Sequence, residues 1–179
     1  MEGERMRRVL VVVAAAAVVP VLGACGGTTS GTATTSTSAV EVALWNPCTE
    51  IPDDLLRQAG VDPAVVESGV AGVHQSGWEI CTWRGPTYSM AVYSSTRSVQ
   101  EIREKPGNTD FRDVQIGGRH GVEYRVAGAS RDLDCDIVFP ASQGMVSIRI
   151  GNSALVDSPQ DPCRLVNKAA EILVPVLPA

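Results

Sequence analysis

Four cysteines, Cys48, Cys81, Cys135 and Cys163, constrain this chain more than any other feature, because they are far apart and each accompanies a local structural signal. The gaps between them are 33, 54 and 28 residues. Zinc sites need closely paired ligands such as C-x-x-C, so this spacing argues for disulfides in an exported protein and against metal. Three pairings are open. Cys48 with Cys81 and Cys135 with Cys163 is favoured, because each pair joins a cysteine at a helix start to one in a nearby strand. In the chain-entropy model, closing either loop contributes about 3 to 4 kcal/mol.

The helix starts repeat one design, Asn46-Pro47-Cys48 and Asp161-Pro162-Cys163. Asn or Asp accepts backbone hydrogen bonds as N-cap, and Pro suits the first helical position, where its missing N–H costs nothing. The cysteine then falls in the first turn, where it can face a sheet. After Asp161 the apolar residues Leu165, Val166, Ala169, Ile172, Leu173 and Val176 recur at three and four, which predicts a C-terminal amphipathic helix. A shorter N-terminal helix is expected from about Pro52 or Asp53 through Ala59, closed by Gly60.

Export is predicted by the N-terminus. Arg7 and Arg8 precede an uncharged apolar run from Val9 to Leu22. At roughly 14 residues it is too short for a permanent span, which needs about 20, so it reads as a cleaved signal. The signal ends in Leu22-Gly23-Ala24-Cys25, a lipobox. Residues 1–24 are therefore expected to be a lipoprotein signal peptide and Cys25 the lipidated first residue of the mature chain. Two or three acyl chains on one cysteine make such an anchor lasting. Residues 25–39, almost wholly Gly, Thr and Ser after Cys25, form a flexible tether, and residues 40–179 a single globular domain. The expected place is the outer, extracytoplasmic face of the cell membrane.

Charge narrows the partners. The whole chain carries 15 basic and 20 acidic side chains, and loss of residues 1–24 would leave a net charge of −6. An acidic domain without a Lys/Arg run does not suggest nucleic acid. No cofactor motif is present either.

Between the terminal helices the pattern turns to period two. Trp78–Trp83 and Tyr88–Tyr93 read as neighbouring strands joined through Arg84-Gly85-Pro86-Thr87. Ser98 to Lys105 is a candidate short helix. Val114–Ile116, Gly121–Val126, Asp134–Phe139 and Met145–Ile150 supply further strands, with turns at Gly117-Gly118 and from Pro140 to Gly144. Strands in hairpin order with helices at both ends predict an α+β fold: an antiparallel sheet covered on one face, stapled by two disulfides. The other face is left to solvent or a ligand.

The lipobox and tether, Asn46-Pro47-Cys48, the Cys81-Thr82-Trp83 strand and the closing Asp161-Pro162-Cys163 helix resemble a family of actinobacterial lipoproteins, found in mycobacteria and nocardiae and classed as domain of unknown function 3558. The resemblance covers Trp45 to about Val174. It implies export, fold and disulfides, and brings no catalytic residues with it.

Candidates for chemistry are few. His74 and His120 are the only histidines, and both read as solvent-exposed loop or turn residues rather than bases. Asp132, Asp134 and Asp136 alternate, with Asp134 and Asp136 on one strand face. Such a pair could bind calcium or act on a glycoside, but reads more simply as the solvated side of an edge strand with Arg131 partly neutralising it. Trp78 and Trp83 fall on opposite faces of one strand, because their separation is odd. One of them, with Tyr88 or Tyr93 on the next strand, forms a candidate ligand face for a sugar, lipid or protein. The expected function is a non-catalytic binding or accessory protein of the cell envelope. The alternative is a cell-wall hydrolase using acidic residues near Asp134 and Asp136; a cleft joining the two to a raised carboxyl pKa would favour it.

Overall fold

A computed structural model gives the structure of residues 43–179. The signal segment 1–24, Cys25, the tether 25–39 and the first residues of the expected domain lie outside the described residues.

Both Pro-Cys helix starts are built as their sequence implies. The Asn46 side chain accepts a hydrogen bond from the Cys48 amide at 2.9 Å and opens α1 (Pro47–Glu50), a single turn. Pro52, held extended, separates it from α2 (Asp53–Gln58). Gly60, at φ +82°, closes α2 beneath the Tyr88 hydroxyl, which donates to the Ala59 carbonyl at 2.5 Å. At the other end Asp161 accepts from the Cys163 amide at 2.9 Å and starts α4 (Pro162–Leu173), followed by a 3-10 turn over Val174–Val176. Val166, Ala169, Ala170 and Leu173 form its buried stripe.

Among the described residues seven strands make one antiparallel sheet: β1 (Asp62–Ser68), β2 (Trp78–Arg84), β3 (Tyr88–Ser95), β4 (Asn108–Ile116), β5 (Arg119–Val126), β6 (Asp134–Ala141) and β7 (Gly144–Asn152). Their spatial order is β1-β2-β3-β7-β6-β5-β4, so two meanders meet where β7 pairs with β3. Sheet predominates over helix, more than the α+β reading implied. β1 was not visible in the sequence. It is an edge strand whose side chains are mostly exposed, so its residues carry no period-two burial pattern. β4 begins at Asn108 instead of Val114, because a bulge between Thr109 and Arg112, with Asp110 at φ +54°, interrupts its alternation.

α4, α1 and α2 cover one face. There Trp83, Met90, Val92, Ile137, Phe139, Ile148 and Ile150 pack with the stripe of α4 into the main core. Gly121 lets Phe139 lie against β5, since a Cβ there would come within 2.7 Å of the Phe139 ring. Cys48 is joined to Cys81 and Cys135 to Cys163, with Cα separations of 5.3 and 5.0 Å. Each bridge fastens a helix N-terminus to a strand of the covered face.

The opposite face is partly roofed. α3 (Val99–Glu104), started by a capping box between Ser98 and Glu101, lays Ile102 on Val122, Tyr124, Val138 and Met145. Trp78, Val99 and Phe111 pack at the margin of this second, smaller cluster. The rest of that face is open enough to hold a site.

Candidate functional site

Register decides which side chains share the face beneath α3. Trp78 stands opposite Ser95, Ile80 opposite Tyr93 and Thr82 opposite Ala91. Tyr93 then meets Ser147 and Ala91 meets Arg149 on β7, while Arg149 lies across from Asp136 on β6. Asp136 in turn faces Tyr124 on β5. One face therefore carries Trp78, Tyr93, Ser147, Arg149, Asp136 and Tyr124 in neighbouring positions.

Of the four candidate aromatics, this face holds Trp78 and Tyr93. Their rings meet edge to face, with centroids 6.4 Å apart. Trp83 and Tyr88 belong to the other face, which removes them from the ligand surface. Trp83 is 2 % exposed in the main core, and Tyr88 packs against that core with its hydroxyl bonded to Ala59. The odd spacing of the tryptophans thus separates them as expected: one is core, and the other is half-buried.

The aspartates require a larger correction. β6 is an interior strand, between β7 and β5, so Asp134 and Asp136 do not form the solvated side of an edge strand. Asp136 is 1 % exposed. Its carboxylate accepts from Arg149 Nε, at 2.9 Å to Oδ1 and 3.0 Å to Oδ2, and Tyr124 donates to Oδ1 at 3.4 Å. Burial pushes the Asp136 carboxyl up to about 6, with Asp134 adding to the push while Arg149 opposes it. Burial also works against the charge of Arg149, but Asp136 outweighs it and holds the guanidinium above its ordinary value. Both groups are charged at neutral pH and make an ion pair whose carboxylate is buried and whose guanidinium is partly exposed. Burial raises the Tyr124 and Tyr93 hydroxyls as well, so both stay neutral donors.

Asp134 and Asp136 point to the same side of β6 but open on different spaces. Asp136 lines a cavity of about 130 Å³ together with Trp78, Tyr93, Tyr124, Ser147 and Arg149. Asp134 lines another, of about 140 Å³, with Thr109, Asp110 and Arg125. Its Oδ1 is buried without a hydrogen-bond partner among the described residues. Arg131 does not neutralise either acid; it pairs with Asp110 at 2.7 Å, and Asp132 is exposed. His74 and His120 are both exposed, His120 standing opposite Gln115 on β4. Neither makes a side-chain hydrogen bond to an acid or a nucleophile among the described residues.

Glu123 comes within metal-ligating distance of Cys135 and Cys163. Those sulfurs are bonded to each other, so they are not thiolate ligands, and Glu123 is taken up by Arg112 at 2.8 Å and Asn167 at 2.6 Å. The trio is a structural joint between β5, β6 and α4.

A second hollow, of about 410 Å³, adjoins the Asp136 cavity and shares Trp78, Ile102 and Lys105 with it. Sequence reasoning did not single out Lys105, Tyr124 or Arg149. A signal for Arg149 existed: in Met145-Val146-Ser147-Ile148-Arg149-Ile150, Ser147 and Arg149 interrupt an apolar strand at every second place, as Asp134 and Asp136 do in β6.

A family model described as "Protein of unknown function (DUF3558)" matches residues 20–176. No curated protein and no solved structure matches the chain.

Proposed function

The chain belongs to that family of proteins of unknown function, and from its own sequence and geometry we propose that it is a lipoprotein of the extracytoplasmic membrane face that serves as a non-catalytic binding or accessory protein. Its ligand, an envelope glycan, lipid or protein, docks on the sheet face that carries Trp78. One observation carries this reading. The cavity beneath Trp78 and Tyr93 has aromatic walls, and the carboxylate that lines it, Asp136, is already engaged by Arg149. Such a site can hold a molecule by stacking and hydrogen bonding, whereas a carboxylate engaged by a guanidinium is a poor general base or nucleophile.

The anchor rests on the lipobox at Leu22-Gly23-Ala24-Cys25 and the Gly/Thr/Ser run after it. Among the described residues no helix is long and apolar enough to cross a membrane. Metabolic labelling with an alkyne fatty acid checks the anchor: label and membrane association are expected in the native chain and absent in Cys25→Ala.

The hydrolase alternative draws on the raised Asp136 carboxyl. It lacks the joined cleft that two carboxylates need, since Asp134 opens on a separate space.

The binding reading is tested by following the indole N–H resonances of Trp78 and Trp83 while fractionated envelope glycans, lipids and proteins are added. A fraction that moves the Trp78 signal and leaves Trp83 in place is expected. If none moves it, the reading is wrong; cleavage of a wall glycan that Asp136→Asn abolishes would replace it with the hydrolase.

A further inference from the structure

The chemistry of the inner cavity specifies its ligand more narrowly. Arg149 bonds the Asp136 carboxylate through Nε alone, so its Nη atoms are not spent on an acid among the described residues, and the neutral Tyr93 hydroxyl is its other side-chain partner. Lys105, at the C-cap of α3, is exposed, lines both the inner cavity and the outer hollow, and takes part in no ion pair among the described residues. The Tyr93 hydroxyl lies beside the Arg149 guanidinium, close enough to feel its charge and to share a hydrogen bond with it. Among the described residues Asp136 is the only acid lining the inner cavity, and Arg149 offsets it, which leaves the Lys105 charge in excess. Glu101 and Glu104 line only the outer hollow, where Glu101 is held by Arg97 and Ser98 and Glu104 by Gln100. A locally cationic cavity in a chain of net charge −5 selects anions by its own donors.

Size and walls set the rest. A cavity of about 150 Å³ holds a benzene ring, and this one, of about 130 Å³, is bounded by Trp78, Ile102 and Met145. It accommodates a single ring and shares Trp78, Ile102 and Lys105 with the larger hollow beside it, where the remainder of a longer molecule can lie.

Building on the binding reading above, we propose that this cavity takes a ring-sized apolar group bearing one carboxylate or phosphate, with the ring against Trp78 and Ile102 and the anion between Lys105 and the Arg149 guanidinium. A free aryl acid and the ring-bearing end of a larger envelope molecule present the same chemistry.

The test titrates the full chain at neutral pH with 4-methylbenzoate, phenyl phosphate and the uncharged 4-methylbenzamide, reading the Trp78 indole resonance. Both acids are expected to move it and to bind about tenfold tighter than the amide, as one charge-assisted contact would give. Lys105→Met, at an exposed position that leaves the fold intact, should abolish most of that preference, read as the ratio of acid to amide affinity within each variant. Amide binding equal to that of the acids, or an acid preference unchanged in Lys105→Met, overturns the anion site and leaves the cavity as a binding site. Silence from all three probes overturns the proposal alone, because the envelope fractions test the binding reading independently.

Discussion

Under α4 the sheet presents Trp83, Met90, Val92, Ile137, Phe139 and Ile148, all buried and all apolar. Turned toward α3, the same strands present Trp78, Tyr93, Ser147, Arg149 and Asp136. The first face is sealed by a twelve-residue helix and fastened by two disulfides, whereas the second is roofed by one of six residues with no covalent tie. Burial of a large apolar side chain stabilises by about 1.5–3 kcal/mol, so stability concentrates under α4. An ion pair taken out of water gains little or nothing net, since desolvation offsets the attraction. The α3 face is therefore where the molecule tolerates an arrangement that packing alone would not select, as binding surfaces do.

Four measurements would break or sharpen that contrast. The largest effect belongs to the two tryptophans of β2. Trp83→Ala is expected to cost about 3–5 kcal/mol in denaturant unfolding, while Trp78→Ala, half-buried on the opposite face, should cost no more than about a third of that. Equal losses would mean that the α3 face is a second core. Removing the bridge between Cys135 and Cys163 by a double Ala substitution should lower stability by about 3 kcal/mol and leave the register of β6 with β7 intact by hydrogen exchange.

Third comes the pH dependence of the ion pair. With its carboxyl raised from 3.8 to about 6, Asp136 binds its proton more tightly folded than unfolded. Its contribution to stability is thus greatest below pH 3.8 and is lost as pH rises through about 6. The stability of the native chain relative to Asp136→Asn should fall by about 2–3 kcal/mol between those limits. A flat difference would show that Arg149 fully compensates burial. The smallest effect is at α3, where Ser98→Ala removes the capping box and should cost about 1 kcal/mol. Faster amide exchange confined to Val99–Glu104 would show that the roof of the site opens without the core.

The ligand face was legible only in part. The alternation of Trp78 and Trp83 separated two faces without saying which was covered, because parity is a property of one strand and coverage a property of the whole sheet. Trp83 and Tyr88 looked as suited to a ligand as Trp78 and Tyr93; Gly60, whose backbone fits beneath the Tyr88 ring, and the α4 stripe decided otherwise. The aspartates misled for a related reason. Acids alternating in a strand normally face water, and the partner that makes burial tolerable, Arg149, comes from another strand and is placed by register.

What the sequence determined by itself is what depends on neighbours along the chain. Asn46-Pro47-Cys48 and Asp161-Pro162-Cys163 carry their own caps, the three-and-four spacing after Asp161 carries its own buried stripe, and Gly117-Gly118 carries its own turn, so each is readable without knowing the rest. The tertiary structure alone decided the pairing of β3 with β7, the edge strand β1, the interior place of β6 and the meeting of Asp136, Arg149 and Trp78 around one cavity. Strand order and register are set by the sum of many cross-strand contacts between residues distant in sequence, and no local pattern contains that sum.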